Sequence, residues 1–265
     1  MPVAFERVDI VRVSNEGRQP DSDLVVAEQP LEVRLNGESF SVIMRTPGAD
    51  RDLAAGFLFS EGVIAAPRDL GDLDSQGDII DVALVGPSAA RLPERLASRR
   101  QVTTNSSCGM CGRRSLDSLG VDAPPLTAAW TTTGDAVVKM PATLRAAQAV
   151  FAETGGLHAA GLFDRQGVLE FVAEDVGRHN AVDKVVGHML LAGRLPLSES
   201  MLCVSGRSSF EVVQKAFLAG ISLLAAVSAP SSLAVQLAEE AGITLLGFVR
   251  GERFNIYTRP SRIAR

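Results

Sequence analysis

Chemistry in this chain begins with Ser106-Ser107-Cys108-Gly109-Met110-Cys111-Gly112, a Cys-x-x-Cys pair set between glycines. Two thiols three residues apart on pliable backbone can exchange disulfides, bind metal or carry sulfur. The thiolate is the reactive form, and a helix N-terminus or a nearby guanidinium lowers the thiol pKa. Residues 112–119 are expected to form a short helix with the pair at its head, and Arg113-Arg114 follow at once. Cys203 differs: it sits in the apolar run Met201-Leu202-Cys203-Val204 and is expected to be inert core.

A second kind of chemistry is written at three strand-to-helix junctions: residues 173–179 (Ala-Glu-Asp-Val-Gly-Arg-His), 205–209 (Ser-Gly-Arg-Ser-Ser) and 228–232 (Ser-Ala-Pro-Ser-Ser). If the three strands are parallel, all three junctions share the carboxyl edge of one sheet, where open α/β folds bind ligands. Each opens a helix whose first N–H groups favour an anion. Gly206 and Ser208 let a phosphate approach, and Arg178 and Arg207 add charge-assisted bonds. Plain helix capping is the alternative at each junction; Ser208-Ser209-Phe210-Glu211 fits a capping box with Ser208 as cap and Glu211 reaching back. Arg250-Gly251-Glu252-Arg253 either joins the edge or forms a solvated hairpin turn.

Metal binding competes for the thiols. Cys108, Cys111 and His158 would make a three-ligand zinc set with an open position. Nucleobase deaminases use such a set with His-x-Glu ahead of the thiolates. Here Ala159-Ala160 follow His158 and the thiols precede it, so deamination is excluded while structural zinc is not. Otherwise His158 is a polar group on a strand, hydrogen-bonded to backbone, and His188 lies on a helix face without chemical duty. A thioredoxin-like exchange fits less well, because its motif sits within a βαβ unit.

The elements that must hold these groups fall into two styles. The 265 residues, 46% hydrophobic and 22% charged, suffice for one large or two smaller globular domains. Residues 1–122 read as α+β: a strand over 3–13, a hairpin of 31–35 and 40–44 around Asn36-Gly37, a helix over 49–60, a strand over 78–85, and a connection or short helix over 86–98. Residues 126–265 read as α/β, with a helix starting at Pro141 and running to Glu153 before Gly155-Gly156. Strands over 157–163 and 168–173 follow, then a helix over 178–192. Strand and helix then alternate (201–205, 209–219, 221–227, 232–241, 243–249), and a strand over 254–257 completes the chain. Net charge -5 gives no nucleic-acid footprint. No secretory leader is expected from the opening residues, and the most apolar run, 216–227, is too short to span a bilayer. A cytoplasmic protein without membrane attachment is the expectation.

Several segments together resemble one family, the formate dehydrogenase accessory sulfurtransferases (FdhD/NarQ). They are the thiol motif at 106–112, Glu174-Asp175-Val176-Gly177-Arg178-His179-Asn180-Ala181-Val182-Asp183-Lys184, residues 205–211, residues 229–232, and 247–258 (Gly-Phe-Val-Arg-Gly-Glu-Arg-Phe-Asn-Ile-Tyr-Thr). The resemblance implies a cytosolic sulfur carrier that takes sulfur as a persulfide from a cysteine desulfurase. It would pass that sulfur to the molybdenum or tungsten bis(molybdopterin guanine dinucleotide) cofactor before insertion into the formate dehydrogenase catalytic subunit. It also implies a cytidine-deaminase-like fold for the second domain, a homodimer, and cofactor contact by Phe248, Val249, Arg250, Gly251, Glu252 and Arg253. Cys108 as the persulfide carrier and Cys111 as its helper come from the family alone; the spacing is symmetric. A zinc-stabilised module that holds the cofactor without sulfur transfer is the alternative.

Overall fold

The computed structural model describes residues 4–94 and 124–264. Strands β1 (Phe5–Ser14) and β2 (Gly17–Val26) form a two-stranded antiparallel ribbon. Sequence alone signals only β1, because β2 carries Pro20 and a polar stretch without alternation. A two-stranded ribbon tolerates a proline on its open side.

β3 (Gln29–Leu35) and β4 (Glu38–Arg45) turn through Asn36 (φ 50°) and Gly37 (φ 85°), the positive pair that a type I′ hairpin demands. After α1 (Asp50–Ser60) come β5 (Leu70–Gln76), β6 (Ile79–Leu84) and the short α2 (Gly86–Ala90). The sheet order is β4-β3-β6-β5, with β3 and β6 parallel. Leu31, Val33, Leu35, Ile80 and Val82 alternate onto its inner face and meet Leu53 and Leu58 of α1.

Beyond residue 124, β7 (Thr132–Thr133) leads into α3 (Gly134–Ala146) and α4 (Ala149–Thr154). Pro141 does not start this helix as expected. The Thr133 hydroxyl oxygen accepts the Ala136 N–H at 3.2 Å and fixes the start a turn and more earlier. Pro141 sits inside α3 and removes one N–H from its ladder. Gly155 (φ 67°) ends α4 as its sequence predicts.

Next come β8 (His158–Phe163), β9 (Leu169–Asp175), α5 (Arg178–Leu191), β10 (Met201–Val204), α6 (Phe210–Leu218), β11 (Leu223–Ala226), α7 (Ser232–Glu240), β12 (Thr244–Arg250) and β13 (Arg253–Ile256). The six-stranded order is β13-β12-β11-β10-β8-β9. β10, β11 and β12 are parallel. β8 runs against β10, and β9 against β8, so β9 points the same way as the parallel three. Side chains of successive residues leave opposite faces: Leu202, Val204, Leu224 and Ala226 meet α5, α6 and α7, while Met201, Cys203, Leu223 and Ala225 meet Val137, Met140 and Leu144 of α3. β13 does not complete the chain, since β14 (Ile263–Ala264) returns to pair in parallel with β7. Beside it buried Arg262 donates to the Ser222 carbonyl (3.0 Å) and the Ala128 carbonyl (3.2 Å).

The two sheets are joined through α1 lying on α5. A Cβ on Gly56 would overlap the Asp183 carbonyl oxygen, and one on Gly187 would overlap that of Asp52, so the backbones approach to contact. Buried polar groups fasten the seam. Asp183 accepts Lys215 Nζ–H (2.7 Å) and Ser60 Oγ–H (2.8 Å). His188 lies on a face of α5, as expected, where it stacks on Phe171 with centroids 3.9 Å apart and stands 3.3 Å from Asp52 of α1. No helix among the described residues is long and apolar enough to cross a membrane.

Candidate functional site

The strand directions bring the ends of β9, β10, β11 and β12 to one edge, as the junction pattern predicts. The antiparallel β8 adds its first residue, His158, to the same edge between β9 and β10.

The β9–α5 junction is locked from the first sheet. Asp175 is fully buried: one oxygen accepts the Gly177 N–H and an Asn180 amide hydrogen, each at 2.8 Å. The other accepts the Thr46 N–H (3.2 Å) and pairs with Lys184 Nζ (2.7 Å). Lys184 also donates to the Thr46 carbonyl (3.0 Å), and the Val176 N–H to the Thr46 hydroxyl (3.2 Å). The long acidic-to-basic stretch from Glu174 to Lys184 is thus a rigid mount for the first turn of α5. Arg178 opens that turn, and its Nε is buried without a hydrogen-bond partner among the described residues. His179 Nε2 lies 2.7 Å from Glu211 and 3.1 Å from the Ser209 hydroxyl, tying the head of α5 to the head of α6.

Those contacts overturn the capping box expected at the second junction. Ser209, not Ser208, is the N-cap of α6, and no side chain caps it. Glu211 is drawn to His179, a tertiary partner invisible in the local spacing. Ser208 is left 1% exposed, its hydroxyl unpaired among the described residues. Its carbonyl accepts the Ser231 N–H (3.0 Å) and its backbone bridges Pro230. Gly206 lies against the His158 ring, where a Cβ would stand 3.4 Å from Nδ1. Arg207 is exposed. At the third junction capping holds: the Ser231 hydroxyl oxygen accepts the Ala234 N–H at 3.3 Å.

His158 is half-buried, and its ring makes no hydrogen bond among the described residues, unlike the backbone-bonded histidine expected. Burial, then Arg178 and His179, push its pKa down against the pull of Asp175. The ring is therefore neutral at pH 7.

At the end of β12 the pairing with β13 shifts register between Gly247 and Arg250. Phe248 takes φ 53°, uncommon for a side-chain-bearing residue, and its N–H donates to the Ser228 carbonyl at 3.1 Å. Arg250 places its guanidinium 5.4 Å from the centre of the Phe248 ring. Val249 is buried, while Arg250, Gly251, Glu252 and Arg253 are exposed around a tight turn at Gly251 (φ 61°). The Phe248 bulge was not legible in advance; the turn was. The hydrogen bond to Ser228 and the bridge through Pro230 connect this bulge to Ser208.

Cys108, Cys111 and the helix expected after them lie outside the described residues. Cys203 is buried in the sheet, and burial pushes its thiol up to about 12, as expected of core packing. Among the described residues no cluster of His, Cys, Asp and Glu is arranged to hold a metal. A cavity of about 180 Å³ opens between the 46–49 turn and β9, lined in part by Thr46, Phe171, Glu174 and Lys184. It includes none of residues 206–208 or 248–253.

The edge offers orphaned donors, two uncapped helix starts and a flat aromatic beside arginines, which suits an anionic, ring-bearing ligand. The FdhD/NarQ family model matches residues 26–264. A sulfur carrier protein FdhD from Streptomyces coelicolor is 48% identical over 98% of this chain and 95% of its own length. One from Saccharolobus solfataricus is 45% identical over 99% and 100%. A chain assigned as a formate dehydrogenase accessory protein from Desulfotalea psychrophila, known from a crystal structure, superposes with a TM-score of 0.80 at 27% identity, covering 99% of this chain and 100% of its own.

Proposed function

The chain belongs to the FdhD/NarQ family, and from that premise we propose that it is a sulfur carrier serving formate dehydrogenase. The observation that carries the reading is the Cys108-Gly109-Met110-Cys111 pair in a chain whose full-length relatives are named sulfur carriers. In this reading the Cys108 thiolate attacks the outer sulfur of a cysteine desulfurase persulfide, forming Cys108–S–SH and releasing the desulfurase thiolate. The Cys111 thiolate then attacks Cys108 Sγ, forming the Cys108–Cys111 disulfide and expelling HS⁻ toward the recipient. A thiol reductant resets the pair.

The recipient is the molybdenum bis(molybdopterin guanine dinucleotide) substrate, sulfurated before insertion into the formate dehydrogenase catalytic subunit. Gly206, Ser208 and the uncapped start of α6 suit its diphosphates, and the Phe248–Arg253 turn, with Arg250 over Phe248, suits guanine. Residues 126–265 are read as cytidine-deaminase-like, supported by the sheet order and by His158 at the edge with Ala160 where catalytic glutamate would stand. Cytoplasmic location and a homodimer complete the proposal.

The test is persulfide mapping. The protein is incubated with a cysteine desulfurase and cysteine, and the added sulfur is located by mass spectrometry; absence of a +S species on both motif cysteines sinks the reading. Stoichiometric zinc with both thiols protected from alkylation would establish the zinc-stabilised module instead. Cys108→Ala is expected to fold and to leave formate dehydrogenase inactive in cells relying on it.

A further inference from the structure

We infer that the outer edge of β1 pairs antiparallel with the same strand of a second copy, joining two β1–β2 ribbons into a four-stranded sheet. The inference gives the proposed homodimer its interface: it rests on that reading for the dimeric state and needs none of its sulfur chemistry.

The two edges of the ribbon are built differently. Ser14 and Gly17 flank a two-residue turn, so the even-numbered residues of β1 exchange hydrogen bonds with β2. The backbone groups of Phe5, Arg7, Asp9, Val11 and Val13 therefore point to the outside. On β2 the outward positions include Pro20, Ser22 and Leu24. Pro20 has no N–H, and the N–H groups of Ser22 and Leu24 donate to the carboxylates of Asp21 (2.8 Å) and Asp23 (2.9 Å). Helix α4 packs against that strand as well. Prolines, charged side chains and covering helices are the devices that close an edge to pairing. β1 has none of them. No proline interrupts it, and β2 is its only strand partner among the described residues. A two-stranded ribbon is marginal in water by itself, and this one leaves Val11 63% and Val13 67% exposed toward its far end.

The occupant is read from the charges. Antiparallel pairing about a two-fold axis at Val8 sets Arg7 of each copy against Asp9 of the other, and Phe5 against Val11. Within β1 each outward pair is then either opposite in charge or apolar on both sides. The adjacent registers fail: an axis at Arg7 sets the two Arg7 guanidiniums together, and one at Asp9 sets the two Asp9 carboxylates together. Arg7 donates to the Ser22 hydroxyl of its own ribbon at 2.8 Å, which uses one donor and leaves the rest of its fork for the carboxylate.

The test is the size of the full chain across a concentration series, by analytical ultracentrifugation. Arg7→Asp and Asp9→Arg are each expected to weaken the dimer about 10-fold or more, because both cross-copy pairs turn from attraction to repulsion. The double variant Arg7→Asp with Asp9→Arg makes the facing charges opposite again and should associate like the parent. It too lacks the Arg7–Ser22 bond, so its recovery separates pairing between copies from effects within one ribbon. Val11→Pro removes one outward N–H, just as Pro20 does across the ribbon. It should weaken the dimer while leaving the circular dichroism spectrum unchanged. Hydrogen exchange of the β1 peptide should slow as the chain dimerises. A monomeric parent, single variants that associate like the parent, or a double variant that does not recover each overturns the inference. Protection of β1 that appears only when formate dehydrogenase is added assigns the edge to another protein's strand and also overturns it. A dimer that none of these substitutions weakens removes this interface but spares the homodimer, and persulfide mapping on the same samples decides the sulfur reading independently.

Discussion

Gly187→Ala sets two known effects against each other on α5. Helix propensity favours the change, since alanine in a helix interior gains about 0.8–1.0 kcal/mol over glycine. The packing opposes it. The new Cβ would overlap the Asp52 carbonyl oxygen and stand 2.6 Å from the Gly56 nitrogen, both backbone atoms of α1 that no rotamer change can move. Restoring ordinary contact requires α1 and α5 to part by about 1.5 Å, which forfeits more than half of the attraction along the seam. Overpacking of this kind costs about 1–3 kcal/mol, and a backbone-on-backbone clash belongs at the upper end. The net expectation is destabilisation by about 2 kcal/mol after the propensity gain. Urea unfolding followed by circular dichroism reads the effect. Gly134→Ala is the control, because its Cβ meets only Phe254 at 3.8 Å and should be neutral or mildly stabilising. A Gly187→Ala protein as stable as its parent, or more so, would refute the close-approach reasoning.

Three further outcomes follow from buried groups. Asp183→Ala strands the Lys215 ammonium in the seam and should cost about 3–5 kcal/mol in urea unfolding, much of it recovered by Asp183→Leu with Lys215→Met. Cys203, with its thiol pushed up to about 12, should stay unmodified by iodoacetamide at pH 8 in the folded protein and react only after unfolding, as read by peptide mass spectrometry. His158 has a folded pKa below its ordinary 6.5, so the unfolded chain takes up the proton first. The stability it contributes is whole above pH 6.5 and is lost as pH falls from there through the folded value. A melting-temperature profile of His158→Gln should be flatter over that window than the parent's.

Features decided by neighbours in sequence were legible, and those decided by neighbours in space were not. Asn36-Gly37 forces its hairpin locally, and short apolar runs separated by helical stretches announce β10 to β12. The common edge followed from the βα order, even though antiparallel β8 intervenes between β9 and β10. Ser208 and Glu211 have the spacing of a capping box, yet Glu211 bonds His179, thirty-two residues away in sequence and on another helix. That one contact moved the cap to Ser209 and orphaned Ser208. Pro141 misled for the opposite reason: a proline allows a helix start without compelling one, and Thr133 supplied the cap. Arginines at junctions look alike in sequence, and only burial separates Arg178 from Arg207.

The pairing of β14 with β7 has a consequence for synthesis. Ile263 leaves the ribosome about 130 residues after its partner Thr132, a delay of roughly 7–26 s at ordinary elongation rates. Through that interval the layer of Val137, Met140 and Leu144 lacks Val249, Phe254 and Ile263, which complete it. The first sheet can close around α1 early, but the second half stays sticky until translation of this region is nearly done. Ribosome-bound chains halted before residue 263 should therefore be the form that holdase chaperones grip.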